Sequence, residues 1–148
     1  KTEDLKAPRQ YGLTQMHKHL REMKAVTGIP HSPIFSPVVS DFYSGMEVTV
    51  PLFASELNEG KTIEDIISVY KRTYTGDVVK YVDKMDEDGF ISANMMSGKD
   101  SMELTVLGNE RRIILVARYD NLGKGASGAA LQCLNIMLGC DETKGLVL

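Results

Sequence analysis

The fold is decided by a hairpin sequence at residues 101–119, which reads SMELTVLGNERRIILVARY. Two apolar segments, residues 101–107 and 112–119, predict two strands joined by a turn at Gly108-Asn-Glu110. The second strand is apolar nearly throughout between its arginines, which is typical of a strand at the centre of a sheet. We therefore expect a hairpin with long arms, around which the rest of the chain completes a sheet.

Further strands are predicted upstream of this hairpin. Residues 46–53 alternate, and Met46, Val48 and Val50 share one face, as in a half-buried strand. Residues 78–82 are a short apolar run, and the prolines of residues 33–39 suit an edge strand.

Three helices are predicted between and after the strands. The apolar stripe of the first is Leu13, Met16, Leu20, Met23 and Val26, and Gly28 ends it. The second begins at the N-cap Thr62 and ends at Gly76. The third runs from about Gly125 to Leu138, and its predicted inner face is Ala126, Ala129, Ala130, Cys133 and Met137. This order predicts an α+β fold with a mixed, mostly antiparallel sheet covered by helices.

Length and composition narrow the class of protein. The chain has 148 residues, 43% hydrophobic and 25% charged, so we expect one globular domain spanning residues 1–148. A net charge of −3 excludes nucleic-acid binding by bulk electrostatics, and no apolar run approaches the roughly 20 residues of a membrane helix. Residues 1–8 resemble neither a signal peptide nor a natural start, and we interpret them as a cut end.

The cysteine pattern bears on the cellular compartment and on metal binding. Cys133 and Cys140 form no close Cys-x-x-Cys pair and have no histidines at zinc-ligand spacing. We interpret them as buried thiols in a reduced compartment, which predicts a cytoplasmic protein. No metal site is expected.

Two of the three histidines, His17 and His19, lie close together in the first helical pattern. A histidine on a packed face is often a core residue, but an imidazole also titrates near neutral pH and suits general acid–base catalysis. Residues two apart point to different sides of a helix and no third ligand is evident, so a shared metal is disfavoured. His31 is interpreted as a surface residue.

A glycine motif, Gly123-Lys-Gly125-Ala-Ser-Gly128, matches the dinucleotide-binding pattern G-x-G-x-x-G. That pattern works inside a βαβ unit, and the ten residues after Leu138 contain no convincing second strand. Two interpretations stay open. The helix start with Lys124 can receive an anion or amide group, or the glycines serve only a tight turn and close packing.

The segment 119–139, YDNLGKGASGAALQCLNIMLG, resembles the C-terminal region of N-acetyl-γ-glutamyl-phosphate reductases, which show D-N-L-x-K-G-A-x-x-Q-A-x-Q-x-x-N-x-x-x-G there. Residues 17–23, HKHLREM, resemble the family's H-R-H-x-P-E-I. Residues 37–49 are similar to its P-x-L-x-x-x-x-R-G-I-x-x-T, and the tail CDETKGL to its E-T-x-G-L ending. The resemblance runs in order from about residue 11 to 147, with departures at Arg21 (proline in the family) and Ser44 (arginine in many members).

The resemblance implies a fold similar to the catalytic domain of glyceraldehyde-3-phosphate dehydrogenase-like enzymes. It implies NADPH-dependent reduction of N-acetyl-glutamyl 5-phosphate to the 5-semialdehyde in arginine biosynthesis, through a cysteine nucleophile. The family's nucleophile motif P-G-C-(Y/F)-x-T is absent from this sequence, as is a nucleotide domain. The chain would then be the C-terminal part of the catalytic domain, inactive alone, with the helix at about residues 120–140 contacting the missing nucleotide domain.

The same resemblance assigns roles to individual residues. His19, or alternatively His17, would be the catalytic acid–base group. Asn121 would approach the nicotinamide amide, and Gly123, Lys124 and Gly125 would line the cofactor side. A homo-oligomer is expected, because residues 112–119 are apolar enough to need covering. The alternative function is a non-catalytic α+β module for small-molecule binding or assembly.

Overall fold

The structure is a computed structural model that describes residues 6–148. The chain forms two compact units, one ending at Tyr43 and one running from Ser44 to Leu148. The first unit contains strands β1 (Arg9–Gln10) and β2 (Val38–Val39), which pair antiparallel, and helix α1 (His19–Thr27).

Helix α1 is shorter than the predicted first helix. Leu13 and Met16 precede it, because Gln15 has a φ of 55° and its N–H closes a turn on the Gly12 carbonyl. A left-handed residue cannot lie inside a right-handed helix, so the helix begins only at His19.

The strand predicted over residues 33–39 is also shorter, and only Val38–Val39 pairs. The Gln15 carboxamide accepts from the Phe35 N–H at 2.9 Å and donates to the Phe35 carbonyl at 2.8 Å. The backbone of Phe35 is therefore paired with a side chain, and prolines at 33 and 37 have no N–H for a ladder.

The second unit is an α+β structure, which confirms the predicted fold class. Its elements are β3 (Met46–Phe53), α2 (Ile63–Thr73), β4 (Val79–Tyr81), β5 (Met102–Gly108), β6 (Arg112–Tyr119) and α3 (Gly128–Met137). A 3-10 turn follows β3 and a π-helical turn, Gly123–Ser127, leads into α3. The sheet order is β3-β6-β5-β4, with β4 and β5 parallel and the other pairs antiparallel. The hairpin strand β6 is central, as its sequence predicts.

The main core lies between α2 and one face of the sheet. Its buried residues are Ile63 of α2, Val106 of β5 and Ile113 of β6. The predicted N-cap Thr62 is confirmed, and its N–H donates to the Asp65 carboxylate at 2.9 Å. This capping box sets where α2 begins and so which face of the helix meets the sheet.

The opposite face of the sheet carries polar residues that are nonetheless buried. On this face Thr105 of β5 lies opposite Val116 of β6 in the strand register. Two residues further along β6, Arg118 lies opposite Glu103. The Arg118 guanidinium also binds Glu87, from the segment that connects β4 to β5. The connecting segment therefore covers this face, and the hydrogen bond from Arg118 lowers the pKa of Glu87.

Three predictions about burial are wrong. The Met46, Val48 and Val50 face of β3 is 38–47% exposed, because β3 is an edge strand whose outer part α2 does not cover. Cys133 and Cys140 are both exposed.

The predicted inner face of the third helix is also wrong. The fully buried residues of α3 are Gly128 and Asn135, whereas Met137 is 83% exposed. Asn135 donates to the carbonyls of Glu142 and Lys144, so the helix turns its polar residue toward the C-terminal segment. Leu134, Ile136 and Met137 point outward instead.

Candidate functional site

The predicted site residues lie in both units of the chain. His17 and His19 belong to the first unit, whereas Asn121, Lys124 and the neighbouring glycines belong to the second. Each group is described within its own unit. His31, predicted to be a surface residue, is exposed.

His17 is the more enclosed of the two adjacent imidazoles. Its ring centroid lies 5.0 Å from that of Phe35 and 6.1 Å from that of Tyr11. Its Nδ1 accepts the N–H of His19 at 3.3 Å, at the first residue of α1. His17 therefore packs among aromatic rings and accepts the first backbone N–H of the helix, which are structural tasks.

His19 is more accessible and keeps a carboxylate neighbour. Its side chain is 47% exposed, and its Nε2 lies 3.9 Å from the Glu22 carboxylate, one turn along α1. The His19 ring packs edge-on against His17 at 4.7 Å, which limits its rotation. An imidazole held in this way can exchange a proton with a group that approaches from solvent.

Asp120 is a buried carboxylate at the end of β6 and holds together the second group of site residues. It is 2% exposed, and its Oδ1 accepts the N–H groups of Leu122 (2.6 Å) and Gly123 (3.0 Å). Its Oδ2 accepts the Ser44 hydroxyl at 2.7 Å and the Gly98 N–H. Burial acts to raise the pKa of Asp120, but these hydrogen bonds outweigh it and lower the pKa to about 2. The residue is an anion at neutral pH.

Ser44 is a position at which the sequence departs from the family pattern. The Ser44 side chain is 4% exposed and lies between the Ser97 hydroxyl (2.6 Å) and Asp120. In this chain, position 44 therefore faces the interior carboxylate and not the solvent.

Asn121 is oriented by one backbone hydrogen bond. Its Oδ1 accepts the Gly45 N–H at 2.8 Å, which leaves the two Nδ2 hydrogens to donate elsewhere. Gly45 has a φ of 125°, and a Cβ built there would lie 2.4 Å from the Ala93 carbonyl. Only glycine fits this position, so the amide that holds Asn121 is itself fixed.

The glycine motif is a tight packing motif. A Cβ on Gly123 would lie 2.3 Å from the Lys99 carbonyl, and one on Gly125 would lie 3.2 Å from the Tyr119 ring. The N–H groups at this helix start are also occupied, since Gly125 donates to the Asp120 carbonyl at 2.8 Å. The Asp120 side chain takes the place that an external anion would have, so the geometry favours the packing interpretation.

Lys124 is likewise engaged within the chain. Its Nζ donates to the Gln132 side chain at 2.6 Å, and Gln132 donates in turn to Glu142 at 2.9 Å. The lysine thus ties the π-helical turn to the C-terminal segment. A role for Gly123, Lys124 and Gly125 in lining a cofactor stays a prediction.

Other features of the described chain lie apart from the predicted site residues. A concavity of about 650 Å³ opens beside the hairpin turn, lined by residues such as Ile63, Val106 and Asn109, and it includes none of the predicted site residues. Within residues 6–148, no group of three or more metal-ligating side chains could hold an ion. No helix in that range is long and apolar enough to cross a membrane.

Sequence reasoning missed Asp120, although a signal for it was present. An aspartate that ends a strand and precedes a glycine-rich turn commonly accepts N–H groups two and three residues on, as Asp120 does with Leu122 and Gly123. The contribution of Ser44 and Gly98 had no sequence signal, because both are distant in the chain.

Comparison with known proteins identifies the family. A family model described as the semialdehyde dehydrogenase dimerisation domain matches residues 2–121. The chain belongs to this family. The match ends at Asn121, so α3 lies beyond the part of the semialdehyde dehydrogenase dimerisation domain that the model covers.

Curated relatives carry a more specific name. A protein of Allorhizobium ampelinum named N-acetyl-gamma-glutamyl-phosphate reductase is 45% identical over 133 residues, covering 86% of this chain and 43% of the relative. One of Sinorhizobium medicae with the same name is 43% identical over the same shares. A Nostoc protein named N-acetyl-gamma-glutamyl-phosphate reductase 2 is 42% identical over 144 residues, 92% of this chain and 45% of the relative.

These relatives confirm the resemblance drawn from the motifs. The chain spans less than half the length of the relatives it matches. More than half of each relative therefore lies outside the matched segment.

Proposed function

We propose that this chain is the C-terminal part of the catalytic domain of an NADPH-dependent N-acetyl-γ-glutamyl-phosphate reductase. The full-length protein would convert N-acetyl-glutamyl 5-phosphate to N-acetyl-glutamate 5-semialdehyde and phosphate in arginine biosynthesis, in the cytoplasm. The observation that carries this proposal is the 42–45% identity, over 86–92% of the chain, to proteins of that name.

The nucleophile must come from outside this chain. Neither Cys133 nor Cys140 lies in a P-G-C motif, and both are exposed at or beyond α3. A cysteine thiolate in the other half of the protein would attack the acyl phosphate, and phosphate would leave. By itself the chain would be inactive, and its part is to position groups and move protons.

His19 is the proposed acid–base residue. It gives a proton to the substrate oxygen as the thioester is reduced, and takes one back when the carbon–sulfur bond breaks and the aldehyde leaves. Its exposed ring beside Glu22 supports this choice over His17, which packs against Phe35 and accepts the His19 N–H.

Asn121 is the proposed contact for the coenzyme. NADPH, when bound, supplies the hydride. The Asn121 side chain fits this partner, since Gly45 occupies its oxygen and its Nδ2 is left to donate to the oxygen of a carboxamide. Gly123, Lys124 and Gly125 would lie beside the same ligand.

Helix α3 is the proposed contact with the missing nucleotide domain. Apolar residues on and just after the helix are 49–83% exposed: Leu134, Ile136, Met137 and Leu138. Such a patch is costly in water and is typical of a surface that another part of the protein covers. The relatives contain that additional length of chain.

We also propose a homo-oligomer, as the description of the family model suggests. The strand predicted to need covering, β6, already has Ile113 and Val116 buried within the chain. The half-exposed face of β3, formed by Met46, Val48 and Val50, is the surface proposed to meet a second copy.

The test is replacement of His19 by alanine in the full-length protein. We expect His19→Ala to lower kcat by about 10²–10⁴-fold, the usual contribution of a general acid–base group. The matched control is His31→Ala, which removes an exposed imidazole from the same unit and should leave kcat unchanged.

Normal turnover by His19→Ala would refute the role of His19, and loss of turnover by His17→Ala alone would transfer it to His17. If neither histidine variant nor Asn121→Ala changed the kinetics, the alternative of a non-catalytic module would be favoured. Circular dichroism of each variant distinguishes lost chemistry from lost folding.

A further inference from the structure

Asp120 joins three segments that are far apart in the sequence. Ser44 precedes β3, Gly98 precedes β5, and Leu122 and Gly123 enter the π-helical turn. The four groups that donate hydrogen bonds to the Asp120 carboxylate are all uncharged. A buried anion held in this way depends on the orientation of each donor, so it constrains all three segments together.

A second hydrogen bond joins the segments of Ser44 and Asp120, between the residues that follow each of them. Asp120 binds the side chain of Ser44, and Asn121 binds the backbone N–H of Gly45 at 2.8 Å. The pair Asp120–Asn121 is thus held against the pair Ser44–Gly45. The orientation of the Asn121 carboxamide depends on the position of the Gly45 amide, and the Ser44–Asp120 hydrogen bond helps set that position.

We propose that Asp120 is a positioning residue, which acts with Ser44 to hold the Asn121 carboxamide with its Nδ2 turned toward a nicotinamide coenzyme. This inference rests on the proposed function, in which Asn121 contacts the coenzyme. It adds that the affinity for the coenzyme depends on a carboxylate that does not touch it.

An isosteric change reveals whether the charge and its acceptor geometry matter. In Asp120→Asn, one side of the group becomes an NH₂ donor. If the new NH₂ group faces Leu122 and Gly123, it meets two N–H donors. If it faces Ser44 and Gly98, it meets one N–H donor and a hydroxyl that can rotate. Either orientation breaks at least one hydrogen bond, so the clamp around Asn121 is loosened.

The experiment measures steady-state kinetics of the full-length protein with NADPH and the acyl phosphate varied separately. We expect Asp120→Asn to raise KM for NADPH about tenfold, the equivalent of one hydrogen bond, and to leave KM for the acyl phosphate within about twofold. Ser44→Ala, which removes one donor, should raise KM for NADPH about threefold.

The matched control is Asp65→Asn. Asp65 also accepts a backbone N–H and also has a lowered pKa, but it caps α2 and takes no part in the proposed site. Asp65→Asn should leave both KM values unchanged. If Asp120 had only a structural role, Asp120→Asn would alter both KM values or neither.

A double variant separates this inference from the proposed function. If Asp120 acts through Asn121, Asp120→Asn should add no further rise in KM for NADPH when Asn121 is already alanine. Should Asn121→Ala leave that KM unchanged, the coenzyme role of Asn121 fails.

If Asn121→Ala raises KM for NADPH, the coenzyme role of Asn121 stands. The positioning role of Asp120 then fails in either of two cases: Asp120→Asn leaves KM for NADPH unchanged, or its effect adds in full to that of Asn121→Ala. If Asp120→Asn does not fold, Ser44→Ala in the same cycle decides the question.

Discussion

Asp120 illustrates how neutral donors can keep a carboxylate ionised inside a protein. Its partners are backbone N–H groups and one hydroxyl, and the resulting pKa of about 2 is well below the ordinary value of 3.8. The sequence pattern identified the histidine pair as candidates, and the family resemblance added the neighbouring Asn121. They carried no signal for the hydrogen bonds that Ser44 and Gly98 donate to Asp120, because both donors come from distant segments.

The depressed pKa predicts a specific dependence of stability on pH. Because the folded-state pKa of Asp120 lies below the unfolded value, its contribution to folding is complete above about pH 4 and is lost as the pH falls toward 2. The free energy of unfolding, measured by urea denaturation, should therefore fall more steeply from pH 4 to pH 2 in the unmodified protein than in Asp120→Asn. Equal slopes in the two proteins would contradict the ionised, hydrogen-bonded state.

At the scale of elements, the boundaries that were predicted well are those set by local signals. Thr62 caps α2 as expected, with Asp65 completing the capping box. The first helix was predicted too long, because its apolar spacing continues through Gln15, whose left-handed conformation is stabilised by hydrogen bonds to Phe35. That partner is 20 residues away, and helical spacing contains no information about it.

The glycine that begins α3 provides a test of packing at this scale. A Cβ on Gly128 would lie 2.2 Å from the Asp100 carboxylate and 2.8 Å from the Asp100 Cβ. Val147 donates its N–H to that carboxylate at 2.9 Å, so the side chain is not free to move away. We expect Gly128→Ala to destabilise the protein by about 2 kcal/mol through overpacking, despite the better helix propensity of alanine.

The control for this prediction is Gly76→Ala. Its added Cβ meets only the Val79 carbonyl at 3.9 Å, so the free energy of unfolding should change by less than about 0.5 kcal/mol. Equal effects of the two substitutions on urea denaturation would contradict close packing at Gly128.

At the scale of the whole molecule, the chain leaves a large amount of apolar surface uncovered. Exposed apolar side chains lie on the β3 face and at the end of α3, and others, such as Val26 and Ile34, lie in the first unit. Relatives are more than twice as long and the family model is described as a dimerisation domain, so we propose another domain and a second copy as the groups that cover the end of α3 and the β3 face. The burial predictions failed at these surfaces because apolar periodicity shows only that a face is covered, and not by what.

A strand-face comparison tests the association. In the full-length protein, Val50→Lys places a charge on the β3 face proposed to meet a second copy, and should shift the mass measured by light scattering from at least two subunits to one. Thr49→Lys, whose side chain points to the other face of the same strand, should leave the mass unchanged. A monomeric unmodified protein, or equal effects of both substitutions, would contradict this interface.

By itself, the sequence determined the fold class, the central place of β6, the cap of α2 and the family. Each of these depends on local periodicity, on local hydrogen bonding or on motifs that are contiguous in the chain. Only the tertiary structure decided that the glycines of residues 123–128 pack against neighbouring residues and that the apolar end of α3 faces outward. It also decided that Asp120 and Asn121 bind Ser44 and Gly45. These features depend on which distant segments come into contact, and a one-dimensional pattern does not contain that information.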